Sequence, residues 1–220
     1  MPRVSKRKSE PVRSSEPAAK KTAKEVERID SFFATYANTS IEMIDPEGVE
    51  KLCADLNIEY TDIKMLVLAW KLNAKKQGYF TQDEWRTGLK SLHVDTLKKL
   101  QKQLPELVKE AFKKEKFEDF YHFSFRYCLT EDKQKNLDIE TTCELLKLLL
   151  HSPYDQQVDS FIEFLKIQKE YKVINMDQWT NFYRFCQEID FPDFKNYDDG
   201  LAWPIILDNF VVWLREEKFA

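Results

Sequence analysis

Apolar residues return along this chain at intervals of three and four, the spacing that lines them up on one face of an α-helix. Ile29, Phe32, Phe33 and Tyr36 make the first such stripe, and Val49, Leu52, Cys53 and Leu56 the second. Residues 63–70 read Ile-Lys-Met-Leu-Val-Leu-Ala-Trp, apolar nearly all round, which predicts a helix buried at the centre of the fold. Helical periodicity continues over 84–92, 94–114, 117–129, 140–150, 156–170, 176–189 and 204–216. No stretch sustains the alternation of a strand, so the pattern predicts an all-α fold. Two segments echo each other 94 residues apart: Tyr79-Phe-Thr81-Gln-Asp-Glu84-Trp85 and Val173-Ile-Asn175-Met-Asp-Gln178-Trp179. Each places an N-cap residue after two apolar ones, with Glu or Gln three positions on and then Trp. That is the signature of a capping box, and its repetition predicts two related lobes.

Composition and charge divide the chain. Residues 1–26 are Lys, Arg, Ser, Pro and Ala with almost no large apolar side chain, a composition that predicts a disordered tail. The folded part is expected over 27–216, in lobes of about 27–115 and 116–216. Residues 1–24 carry eight Lys and Arg against two acids, a net +6, which leaves −10 for the remainder of a −4 chain. Lys6-Arg7-Lys8 followed after a spacer by Lys20-Lys21 has the form of a bipartite nuclear-import signal, and reads equally as a solubilising tail. Import implies a nuclear protein with room for a cytoplasmic pool. An acidic body would repel phosphate, so no nucleic-acid partner is expected. No apolar run is long enough to span a membrane, and Pro2 stands where N-myristoylation needs Gly. Cys53, Cys128, Cys143 and Cys186 have no close pairing and no preceding leader, and read as reduced core thiols.

Candidate chemistry is thin. Residues 73–84 fit the frame of an EF-hand loop, with Gly78 at position 6, Phe80 at 8 and Glu84 at 12. Positions 1, 3 and 5 are Asn73, Lys75 and Gln77, and a lysine ammonium sits where calcium would. The second lobe offers Asp132 to Glu140, which lacks the glycine and the alternating acids. A degenerate, metal-free helix–loop–helix pair fits better than a calcium sensor. His93, His122 and His151 are isolated, so no zinc site and no other metal or cofactor is expected. No nucleophile elbow, Walker loop or paired Cys/His is visible, and the protein is read as non-catalytic.

The last stretch, Asn196-Tyr-Asp-Asp-Gly-Leu201-Ala202-Trp-Pro-Ile-Ile-Leu-Asp208-Asn-Phe-Val-Val-Trp213, resembles the closing signature of the defective-in-cullin-neddylation family, NYDxxGAWPxLxDxFVxW. Met65-Leu-Val-Leu-Ala-Trp-Lys71, Phe80-Thr-Gln-Asp-Glu-Trp85 and Met176-Asp-Gln-Trp179 agree, so the resemblance spans about 27–215. It implies two EF-hand-like lobes forming one potentiating-neddylation domain. It also implies a scaffold-type co-ligase that holds a cullin's C-terminal winged-helix domain, with its RING protein, beside the charged neddylation conjugating enzyme. Such a protein regulates cullin-RING ligases, needs no cofactor and is expected to be a monomer.

The family's cullin-binding Asp, Ala and Asp match Asp177, Ala202 and Asp208. Its apolar pocket for the conjugating enzyme's acetylated N-terminal Met matches Val49, Cys53, Met65, Leu68, Ala69, Gln77, Phe80, Tyr127 and Leu148. Acetylation removes the amino charge, so burying that Met costs no ion desolvation. Leu201 departs from the family's Gly and is expected to reshape or crowd the loop presenting Ala202. Gln77 stands where some relatives carry Cys, and the short basic tail leaves no room for the ubiquitin-associated domain of others. Three alternatives stay open: a calcium sensor, a hydrolase or transferase with an unrecognised Cys site, and a cullin binder that competes without stimulating.

Overall fold

The computed structural model describes the backbone of residues 16–131 and 133–219. Lys6, Arg7 and Lys8 lie outside the described residues, and of Lys20 and Lys21 only helical backbone is described. Nine helices and five very short strands follow one another among them. In chain order these are α1 (Glu16–Ala34), β1 (Ala37–Asn38), β2 (Met43–Ile44), α2 (Pro46–Leu56), α3 (Ile63–Lys71), β3 (Phe80–Thr81), α4 (Gln82–Ser91), α5 (Leu97–Ala111) and α6 (Lys114–Tyr127). Then come β4 (Asn136–Asp138), α7 (Ile139–Ile167), β5 (Val173–Asn175), α8 (Met176–Glu188) and α9 (Ile205–Phe219). The class is all-α.

The strands are the linking devices of helix–loop–helix pairs, which is why they left no alternation in the sequence. Met43↔Thr81 and Ile44↔Phe80 pair β2 with β3, and Leu137↔Ile174 pairs β4 with β5. Each of those four strands runs straight into a helix N-cap: Asp45, Thr81, Asp138 and Asn175. Both capping boxes form. Thr81 and Glu84 satisfy each other's backbone amides, as do Asn175 and Gln178, and a cap of this kind contributes about 1 kcal/mol. Phe80 just before the cap packs on Trp85 one turn inside, with ring centroids 5.9 Å apart, a hydrophobic staple that sets the angle of the helix.

Two differences from the periodicity have plain causes. The tail expected to be disordered through residue 26 is helical from Glu16. Ala18, Ala19 and Ala23 are strong helix formers, and extending a helix already nucleated costs far less than starting one. The nucleus lies downstream, where Ile29, Phe32 and Phe33 are buried. Arg86 holds Asp30 in a fork at 2.9 and 3.0 Å, and Arg28 and Lys99 converge on buried Asp95, each at 2.6 Å. The runs 140–150 and 156–170 join into α7, bent where Tyr154 leaves helical geometry (φ −139°, ψ 42°) just after Pro153. Proline there removes one helical hydrogen bond and crowds the preceding turn.

The two halves share one core. Trp179 of α8 stacks on Tyr121 of α6 at 4.3 Å and 9°. The Tyr121 hydroxyl donates to the Trp179 carbonyl at 3.0 Å, and the Trp179 indole donates back to the Tyr121 carbonyl at 3.2 Å. A buried reciprocal pair like this fixes both the spacing and the rotation of two helices.

Candidate functional site

Trp203 organises the C-terminal region. Pro204 follows it, and the Leu207 amide already donates to the Pro204 carbonyl at 2.8 Å, so α9 begins its hydrogen bonding immediately after the indole. Trp203 is buried; Tyr197 stacks on it at 6.0 Å and 21°, and the Arg184 guanidinium lies over its ring at 4.5 Å. Around these contacts stand Ala202 and Asp208, two of the three residues expected to meet a cullin, while the third, Asp177, lies two turns before Arg184 on α8. Ala202 adjoins Trp203 and is exposed. Asp208, half-buried on the first turn of α9, accepts the Tyr197 hydroxyl proton in a short hydrogen bond. Asp177 sits in the first turn of α8, exposed, and on the face that carries Arg184 two turns later. Asn181 amide hydrogens reach the Asp177 carboxylate at 3.0 Å and its carbonyl at 2.9 Å, which hold the side chain at the surface.

The local field is acidic. Residues 188–208 contain six acids and a single lysine, Lys195, which pairs with Asp193 at 2.5 Å. Burial first, and then the bond to Asp208, push the Tyr197 phenol well above its ordinary range. Arg184 is bound to Glu188 at 3.0 Å through both carboxylate oxygens, so its charge is largely compensated. A surface of this kind is electrostatically complementary to basic groups. Leu201 stands in the turn before α9. Its backbone is not at positive φ, its carbonyl accepts the Trp203 amide at 2.8 Å, and its side chain is exposed beside Ala202.

A cavity of about 610 Å³ lies where α2, α3 and the 77–80 segment face the end of α6 and the start of α7. Six of the nine residues expected to form an apolar pocket line it: Val49, Met65, Gln77, Phe80, Tyr127 and Leu148. Cys53, Leu68 and Ala69 do not. They lie one helical turn on from Val49 or Met65, on the same face of the helix, and all three are buried in the core. Helical spacing alone could not separate lining from core, because Val49 and Cys53 share one face of their helix, as do Met65, Leu68 and Ala69.

Other wall residues were not expected: Tyr60, Thr61, Asp62 and Leu66 from the first half, and Cys128, Thr141, Glu144, Leu145 and Lys147 from the second. They come from the 60–62 loop, α3, the end of α6 and α7, which only the tertiary fold brings to one cavity. Gly78 is required at the mouth: it has φ +76°, and a Cβ there would stand 3.0 Å from the Tyr60 hydroxyl. Its amide donates to the Tyr127 hydroxyl at 3.2 Å. A second cleft of about 690 Å³ on the far side of α7 shares Glu144 and Lys147, but Glu140, Lys166 and Lys172 make its lining far more charged.

Glu84, position 12 of the EF-hand frame, spends both oxygens on backbone amides, Lys75 at 3.0 Å and Thr81 at 2.9 Å. Among the described residues no three His, Cys, Asp or Glu converge as a metal set, and no helix is long and apolar enough to cross a membrane. All four cysteines are free and buried. Burial, reinforced by Glu144, pushes the Cys128 thiol up to about 11, so little thiolate exists near neutral pH.

A family profile described as cullin binding matches residues 99–213, across α5 to α9. The chain is 40% identical to human DCN1-like protein 4 over 189 residues, covering 86% of this chain and 63% of that protein. It is 38% identical to rat DCN1-like protein 5, covering 84% of this chain and 76% of the relative. It is also 32% identical to Dictyostelium discoideum DCN1-like protein 2 over 98% and 87% of the two lengths. The chain belongs to the cullin-binding, DCN1-like family. Within this cullin-binding fold the matched region contains the whole Trp203 cluster, while α2 and α3, which supply one side of the cavity, precede it.

Proposed function

We propose that this protein is a scaffold-type co-ligase for cullin neddylation. A cullin's C-terminal winged-helix domain docks on the acidic surface of Asp177, Ala202 and Asp208. The cavity takes the acetylated N-terminal Met of the conjugating enzyme, whose charged modifier then lies near the cullin's acceptor lysine and RING protein. Rate is gained by proximity, with no catalytic side chain of this chain involved. The cavity carries this reading, because its apolar floor of Val49, Met65, Phe80 and Leu148 is built on elements other than α8 and α9. A protein that only bound cullins would need no second site. An uncharged acetylated end suits that floor, whereas a free ammonium would have to be desolvated there.

The test is reconstituted neddylation of a cullin–RING complex with purified activating and conjugating enzymes. Asp208→Lys and Leu148→Arg are each expected to abolish stimulation while keeping the helical circular dichroism spectrum. Stimulation that survives both changes refutes the two-site scheme. Wild-type protein that slows the reaction identifies a competitor instead. A peptide with a free N-terminal Met that binds as tightly as its acetylated form rules out the cavity assignment. The basic cluster Lys6, Arg7, Lys8, Lys20 and Lys21 is proposed to direct nuclear import, and a fluorescent fusion that stays equally nuclear with those residues changed to Ala counts against it.

A further inference from the structure

The outward face of α9 carries side chains that neither folding nor the acidic surface accounts for. Ile206, Leu207, Phe210, Val211 and Leu214 point into the core. Ile205, Asp208, Asn209 and Val212 share the opposite face at helical spacing. On that face Ile205 is 70% exposed and Val212 52%, with Leu201, also 52% exposed, in the turn just before the helix. Among the described residues these are three of the four most exposed large apolar side chains. Single exposed apolar residues are ordinary, but a row of them beside a defined charge marks a contact surface.

We infer that Leu201, Ile205 and Val212 form the apolar half of the docking surface whose charged half is Asp208, and that its occupant is the cullin winged-helix domain. This rests on the reading of Asp177, Ala202 and Asp208 given above. The geometry supports one continuous surface: Ile205 and Val212 are seven residues apart, roughly 10 Å along the helix, with Asp208 between them. The strip is rigid before binding. Asn209 on the same face donates to the Tyr171 hydroxyl at 2.9 Å, and the inner face of the helix is fully packed, so little side-chain ordering opposes association.

Charge decides between occupants. A second copy of this chain would meet the strip through the same patch on both subunits, setting the acids of 188–208 against themselves. A partner presenting a basic side chain next to exposed apolar ones satisfies Asp208 and covers Ile205 and Val212 together. Acidic groups then steer the encounter, and the apolar strip slows dissociation.

The experiment is calorimetric titration of the full chain with isolated cullin winged-helix domains at two salt concentrations. Ile205→Ser and Val212→Ser are each expected to weaken binding about tenfold, equivalent to ~1.4 kcal/mol, without changing its salt dependence. Both positions are solvent-facing, so the variants keep the wild-type melting temperature. Ile41→Ser, a change at an exposed apolar residue far away in sequence between β1 and β2, leaves binding unchanged. If Asp208→Lys abolishes binding while Ile205→Ser and Val212→Ser do not weaken it, the apolar strip is overturned and the acidic patch stands. If the wild type binds and none of the three changes matters, both fall. No wild-type binding to any cullin overturns the reading and this inference together. A concentration-dependent dimer in sedimentation, lost in Ile205→Ser, reassigns the strip to self-association.

Discussion

Removing one oxygen, in Tyr197→Phe, isolates the bond that holds Asp208 in place. The aromatic ring remains, so its stacking on Trp203 and its edge contact with Phe185 at 5.9 Å are kept. What disappears is a hydroxyl donating to a carboxylate, an interaction worth about 1.5–3 kcal/mol when the acceptor is charged. Both partners are half-buried, so water recovers part of this, and a net loss of about 1–2 kcal/mol is expected. For a chain of this size that lowers the melting temperature by about 2–8 °C. The assay is urea denaturation of Tyr197→Phe, Asp208→Ala and the double variant. The pair should show a coupling of about 1 kcal/mol; near-additive single changes, with coupling below about 0.3 kcal/mol, would refute the bond's role. Binding adds a second readout. With its carboxylate no longer preset, Tyr197→Phe should bind a cullin winged-helix domain about threefold more weakly. Tighter binding would show instead that the tyrosine competes with the partner for Asp208.

Three further outcomes follow from the packing. Gly88→Ala should destabilise by about 1–3 kcal/mol despite alanine's better helix propensity, because a Cβ there meets Leu72 Cδ2 at 2.2 Å and its Cα at 2.9 Å; an unchanged or raised melting temperature contradicts this. Tyr121→Phe should cost about 1 kcal/mol in urea denaturation by removing the buried bond to the Trp179 carbonyl, and no measurable loss would mean that stacking alone joins α6 and α8. Burial raises the phenols of Tyr36, Tyr121, Tyr127 and Tyr197 above their ordinary value in the folded state. Folded protein therefore holds their protons more tightly than unfolded chain. The stabilisation is complete below about pH 10 and falls as pH rises beyond it, so a melting temperature constant from pH 9 to 11.5 rules the effect out.

Much of the fold could be read in advance because it rests on local rules. Ile29, Phe32, Phe33 and Tyr36 predict their own helix, and the echo of Thr81/Glu84 in Asn175/Gln178 places two helix starts within a residue. Composition failed at 16–26 because it asks whether a segment folds alone, whereas α1 is extended from a nucleus elsewhere. The cavity shows the other limit. Val49 and Cys53 have the same apolar character and adjacent turns, yet one faces a void and the other the core.

Sequence by itself determined the helical class, the capped helix starts, the acidity of 188–208 and the family motif around Trp203. Each of these depends on neighbours within a turn or two, where side-chain direction follows from backbone period. Tertiary structure alone decided that Trp179 and Tyr121 interlock, that α7 closes the wall of the cavity, and that Arg184 and Tyr197 converge on one indole. It also decided that Ile205 and Val212 are left facing water. Those outcomes depend on how whole helices rotate and cross, and that choice is made by close packing across the core, where distant residues must fit one another's shapes.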